Sequence, residues 1–190
     1  MTRAFRETAV SEQRGGRQEN VREVSNAQPS PVISAFCELL DQSGLHAALA
    51  YLNARTRFRF TGVYRCDPPI LVNQCLYDRE NPSLLECGAI KPLAGTFCSI
   101  VIDTRMPFVT ENSEADPRLE KYPVRHTVLS YSGVPIRSRG GQVVGVLCHY
   151  DLRPRLLSPE ELENLESAAP LLLDHLHTSD RIPSPPDIES

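Results

Sequence analysis

No stretch of about 18 apolar residues occurs anywhere in the 190-residue chain, so no segment has the pattern of a membrane-spanning helix. The first 30 residues carry charges throughout and lack the apolar centre of a secretory leader, so the expected compartment is the cytoplasm. Nor is there an excess of positive charge. Twenty Lys and Arg against 24 Asp and Glu leave a net charge of −4, which gives no electrostatic footprint for nucleic acid or a membrane surface. The spacings CxxC and HxxxH are absent, and His175 and His177 point about 200° apart if they lie on a helix, so no metal is expected. A Gly-rich phosphate loop, a Ser-His-Asp order and paired carboxylates are missing too.

What is present is an ordinary globular composition, 41% hydrophobic and 23% charged. Residues 1–29 and 179–190 are poor in apolar side chains, and the latter is rich in Pro and Ser. Both are expected to be flexible tails around a folded region at 31–178. The six cysteines (37, 66, 75, 87, 98, 148) sit partly in apolar runs of a chain without an export signal, so reduced thiols are expected.

Ser30-Pro31 has the form of an N-cap and a first-turn proline. Ile33, Phe36, Cys37, Leu40, Leu45, Ala48, Leu49 and Leu52 then follow helical spacing, with a break or bend at Gly44. The period changes to two in RFRFTGVYRCD (57–67), which reads as a strand with one wet face. Asp67-Pro68-Pro69 makes a turn and ILVNQCLYD (70–78) returns. A loop leads to a short helix in 96–105 and a brief strand in 107–112. Strands at 130–138 and 142–151 are joined through Arg139-Gly140-Gly141. Ser158-Pro159-Glu160-Glu161 opens a last helix with Leu162, Leu165, Ala169, Leu172 and Leu176 on one seam and Pro170 inside it. Antiparallel strands with helices at both ends predict an α+β domain.

Five blocks in order resemble the GAF domain: Gly95-Thr96-Phe97-Cys98-Ser99, Thr104–Val109, Asp116-Pro117-Arg118-Leu119, Tyr131–Ile136 and Gly141–Leu147. The resemblance implies an antiparallel sheet of five or six strands, terminal helices on one face and a small-molecule pocket on the other. It also implies a sensory role, although the fold does not name a ligand.

On this reading the expected site is the sheet face carrying Leu147 and His149, with Ser132 on the same face if the hairpin register allows. Phe97, Cys98 and Tyr131 are its expected neighbours. Its ligand is expected to be small and partly apolar, with no cofactor identified. A competing reading is a module that only dimerises, and a homodimer through the terminal helices is expected from the 3-4-3-4 seam. A bilin site in the manner of phytochromes would need a Cys-His pair near Val124-Arg125-His126, which is missing. GAF domains that reduce free methionine sulfoxide place a nucleophilic Cys about 24 residues after the position of Cys98. Tyr122 stands there, and no Cys occurs from 99 to 147. Cys87 and Cys98 remain conceivable as a thiol pair. Asp116-Pro117-Arg118 is expected to cap a turn with Arg118 paired locally, and Arg105 and Arg137 are either a carboxylate clamp or solvated charges.

Overall fold

The computed structural model describes residues 29–176, so the two expected tails lie outside the described residues apart from Pro29. The N-terminal helical pattern divides at Gly44 (φ 83°) into α1, Pro31–Ser43, and α2, Leu45–Ala54. Ser30 caps α1 by accepting from the Ile33 amide at 3.3 Å, and Pro31 occupies the first turn, where its missing N–H costs nothing. Strands β1 (Phe60–Asp67) and β2 (Ile70–Asp78) follow, then β3 (Ile90–Pro92), α3 (Phe97–Thr104) and β4 (Phe108–Thr110). Short 3-10 turns at Pro117–Leu119 and Pro123–His126 lead to β5 (Ser130–Arg137), β6 (Val143–Asp151) and α4 (Pro159–Ala168). A 3-10 segment, Ala169–His175, ends the described chain.

All six strands form one antiparallel sheet in the order β3-β2-β1-β6-β5-β4. The α+β architecture is therefore as the pattern implied. The terminal helices and the closing 3-10 segment cover one face, burying Phe36, Leu49, Leu165 and Leu172 on Val63, Val134, Ile136 and Leu147. On the other face α3 and the turns after β4 bury Phe97, Val101, Phe108 and Leu119 against Tyr64, Tyr131, Val146 and Cys148.

Strand β1 corrects one expectation. It has no wet face: residues Thr61 to Arg65 are all buried, because β1 lies between β2 and β6 with a layer on each side. Arg65 meets this burial by pairing with Asp67 at 2.6 Å. Arg59 at the mouth of the strand clasps Asp78 through two bonds of 2.7 and 2.8 Å, a fork-to-fork geometry. That clasp holds the Asp78 carboxyl down at about 2.

Pro170 shapes the last helical segment. Ser158 caps α4, accepting from the Glu161 amide at 3.2 Å, while the Glu161 carboxylate pairs with Arg55, the residue that ends α2, at 2.7 Å. Proline lacks the amide hydrogen that would bond four residues back, and the winding changes to 3-10 at Ala169. The seam expected to meet a partner subunit instead packs within the chain. Leu165, Ala169 and Leu172 are buried in the core, with Leu162 and Leu176 against it. Leu171 is the exposed apolar residue of that stretch.

His149 closes a buried polar chain between β6 and the helices. Arg79 donates from Nε to Asn53 Oδ1 at 2.9 Å, so Asn53 turns its Nδ2 to the Phe58 carbonyl (3.1 Å) and to Thr61 Oγ1 (2.8 Å). Thr61 Oγ1 also lies 2.7 Å from His149 Nδ1, within hydrogen-bond distance. The imidazole also stacks on Phe58 at 5.8 Å between centroids. Burial, with the Arg79 charge adding to it, pushes the His149 pKa down to about 3, so the ring is neutral at physiological pH.

Two outcomes follow from this packing. Leu165→Ala and Leu172→Ala should each cost about 2–5 kcal/mol by leaving core cavities. Urea midpoints should fall at every protein concentration alike; a loss confined to dilute protein would mean the seam is intermolecular. His149 sets an acid dependence. Above pH 6.5 the ring is neutral in folded and unfolded chains alike. Below it only the unfolded chain takes the proton, until the folded group titrates near 3. Stability should therefore fall with pH by up to about 1.4 kcal/mol per unit from this group. The lowered Asp78 and Asp116 carboxyls add their loss only below their ordinary value of 3.8. His149→Gln should flatten the slope of unfolding free energy between about pH 6.5 and 4.5; an unchanged slope there would contradict the buried neutral imidazole.

Candidate functional site

The pleat of β6 sends Val146, Cys148 and Tyr150 to the face away from the terminal helices. Register supplies their neighbours. Cys148 stands opposite Gly62 of β1 and Gly133 of β5, and Tyr150 opposite Phe60 and Tyr131. The two glycines have a steric purpose. A Cβ on Gly133 would lie 2.2 Å from the Tyr131 hydroxyl, and one on Gly62 would lie 2.8 Å from the Tyr64 ring. Both tyrosines therefore lie over a glycine, on either side of the small Cys148 side chain.

From above, α3 brings Phe97 and Cys98. Its N-terminus is fixed by Thr96, whose hydroxyl donates to the Leu93 carbonyl at 2.7 Å and accepts from the Ser99 amide at 3.3 Å. Val124 and Val128 close one side, and Leu71 and Lys91 the other. The result is a cavity of about 130 Å³ whose wall is mainly aromatic and aliphatic. Lys91 is the cationic side chain in that wall, with its Nζ 4.9 Å from the Tyr64 ring centroid. Phe97 meets Tyr131 edge-on at 5.6 Å.

Two thiols lie in the same wall. Tyr131 donates its hydroxyl to Cys98 Sγ at 3.3 Å, and Cys148 is the neighbouring thiol in the same cluster. The Cys148 thiol beside it, and then the Tyr131 hydroxyl, hold the Cys98 pKa below the ordinary thiol range, against its burial. Cys148 moves the other way, raised by the Cys98 sulfur beside it and by burial, and burial likewise raises Tyr131 and Tyr64.

The six expected site residues are thus divided by the sheet. Phe97, Cys98 and Tyr131 line the cavity, and the register turns Tyr131 toward it. Leu147, His149 and Ser132 do share a face, as expected, but it is the face beneath the terminal helices. All three are buried there, His149 in the Asn53–Thr61 chain and Leu147 in the helix-side core. The expectation of one pocket centred on Leu147 and His149 is corrected accordingly. Tyr64, Leu71, Lys91, Cys148 and Tyr150 were missed, although Gly62 and Gly133 mark the strands where large rings lie flat.

Other candidate groups are engaged elsewhere. Asp116 caps the 3-10 turn at 117–119 and pairs with Arg118 at 2.6 Å, as expected. Arg137 donates to the carbonyls of Arg105 and Gly141. Tyr122 packs against Phe97 at 6.2 Å. Cys87 is exposed and lines a groove with Cys75, apart from the cavity that holds Cys98. A cleft of about 860 Å³ runs past Arg55, Glu111, Arg155 and Glu161, but Arg55 is already paired with Glu161 and Arg155 with Asp151. Among the described residues no helix is long and apolar enough to cross a membrane.

Comparison with known proteins gives the same architecture. The family model of the GAF domain matches residues 21–172. No curated protein matches the chain. Among solved structures it resembles the GAF domain of an Acinetobacter phosphoenolpyruvate-protein phosphotransferase, with a TM-score of 0.62 and 16% identity over 76% of this chain and 90% of that one. It also resembles the free methionine-R-sulfoxide reductase of Neisseria meningitidis, solved with its substrate (TM-score 0.57, 18% identity, 76% and 85% covered). A third likeness is to the chromophore-binding domain of the bacteriophytochrome RpBphP3 from R. palustris (TM-score 0.58, 15% identity, 74% and 57% covered). At these identities the likeness is one of fold. With its family model spanning most of the chain, this chain belongs to the GAF domain family.

Proposed function

We propose that this chain is a sensory module without catalytic turnover, and that it binds a small, partly apolar ligand in the cavity between α3 and the sheet. The observation that carries the reading is the cavity itself, on the face the terminal helices leave open. Its composition is that of a recognition site, with aromatic and aliphatic walls and a few convergent polar groups: Lys91, the Tyr131 hydroxyl and two thiols. A volume of about 130 Å³ is close to the engineered cavity of about 150 Å³ that takes up benzene, so the occupant is about the size of one ring. Lys91 favours a carboxylate or another anionic group at one end of it.

Turnover in the manner of the sulfoxide reductases lacks support. The loop after α3 has Tyr122 where a thiolate nucleophile is required. A role in dimerisation alone would have to use surface other than the Leu165–Leu172 seam, which is buried in its own chain.

The test is thermal unfolding against a panel of small aromatic and branched aliphatic carboxylates, with their neutral amides alongside. A true ligand at a hundred times its Kd stabilises by about 2.7 kcal/mol, a rise in Tm of roughly 5–10 °C for a chain of this size. Val128→Phe, which fills the cavity, should abolish the rise. Lys91→Met should abolish it for the carboxylate but not for an amide that binds the native protein. An equal response in native and Val128→Phe protein would place binding elsewhere, and a flat response to the whole panel would sink the reading.

A further inference from the structure

The thiol pair in the cavity is more than packing. Cys148 is held between two glycines, under rings that leave only a small side chain room at the cavity floor. Cys98 comes from a different element, α3, and meets it there. A purely structural cysteine sits among hydrocarbon and is inert. Cys98 instead receives a hydroxyl proton from Tyr131 at 3.3 Å, and the Lys91 ammonium stands in the same wall. Both groups favour negative charge on that sulfur.

We infer that Cys98 and Cys148 are a redox-active dithiol, which a hydroperoxide small enough to enter the cavity oxidises to an intramolecular disulfide joining α3 to β6. Access fits the dimensions: water occupies about 30 Å³ in the liquid, and the cavity offers about 130 Å³. In the first step Cys98 loses its proton and its sulfur attacks one peroxide oxygen. The O–O bond breaks, and the departing hydroxide takes up that proton as water, leaving Cys98 as sulfenic acid. In the second the Cys148 sulfur attacks the Cys98 sulfur. The S–O bond breaks, and hydroxide leaves as water with the Cys148 proton. Two thiols and one hydrogen peroxide give one disulfide and two waters, with two electrons passing from sulfur to oxygen. The sulfurs close to about 2.0 Å, which removes the acceptor from the Tyr131 hydroxyl and ties α3 to the sheet.

The dithiol shares its cavity with the proposed ligand, and the inference rests on that reading only for its consequence, a changed affinity on oxidation. The test uses the full chain, treated with hydrogen peroxide, blocked with N-ethylmaleimide and digested for mass spectrometry. The expected product is a Cys98–Cys148 linked peptide pair, two hydrogens lighter than the thiols and released by dithiothreitol. Recovery of both residues as maleimide adducts overturns the inference, as does a disulfide confined to Cys75 and Cys87. Cys148→Ser should trap Cys98 as a dimedone adduct with no linked peptide; if that variant does not fold, mapping of the unmodified chain decides alone. Lys91→Met should slow the oxidation several-fold, and an unchanged rate removes Lys91 from the reaction. Ligand response is measured on the reduced protein. A disulfide without any ligand response overturns the binding reading alone, and a ligand response without a disulfide overturns this inference alone.

Discussion

The alternation of side chains along β6 is the constraint on which the rest of the molecule depends. A strand in the middle of a sheet with a layer on each face has no solvent side, so every residue must suit one interior or the other. Leu147 and His149 answer to the terminal helices, Val146 and Cys148 to α3. A slip of one residue would exchange the two sets. It would put the imidazole among the aromatic rings without its Thr61 partner and leave a thiol where the Asn53 chain ends. The pairing of Thr61, His149 and Ser132 across three strands is thus held from both faces at once.

The two interiors handle polarity differently. On the helix side the polar groups form a chain headed by Arg79, a side chain with donors only, and this fixes the direction of the bonds through Asn53 to Thr61, which meets the His149 ring. A buried chain of this kind rigidifies its surroundings. It ties the α2–β1 connection to β6, where a ligand would have no room. The α3 side has fewer fixed bonds. A hydroxyl and two thiols meet in sequence around a cavity, and sulfur is a weak, polarisable partner. The rigid side holds the sheet while the softer side keeps space and reactive atoms. That division follows from where His149 and Cys148 fall in a two-residue period.

Local chemistry was the legible part of the sequence. Ser30-Pro31 and Ser158-Pro159 announce helix starts through groups that act within three residues, and both serines cap as expected. Strand β2 matches its pattern at both ends because turn residues bound it. The partition of β6 into two faces was equally visible, as was Ser132 sharing a face with His149. What the pattern does not carry is which face meets the helices, since both are apolar and the answer lies in topology. Strand β3 escaped for a related reason. Ile90–Pro92 is three exposed residues with no alternation of its own, made a strand by pairing with Ile70–Val72. The seam in the last helix was read correctly as apolar, but its partner is the chain's own sheet.

The neighbours in fold space include the GAF domain of a phosphotransferase, a sulfoxide reductase and the chromophore-binding domain of a phytochrome, all on one kind of fold. Function in such a scaffold depends on which few side chains reach the open face. In this chain those are large rings, one lysine and two sulfurs, and the glycines at 62 and 133 are the reason they fit together. A Cβ at either position would push Tyr64 or Tyr131 upward into the space beneath α3. The Tyr131 hydroxyl would leave Cys98, and the cavity would fill with the displaced ring. Gly62 and Gly133 therefore set both the volume of the site and the bond between the Tyr131 hydroxyl and Cys98.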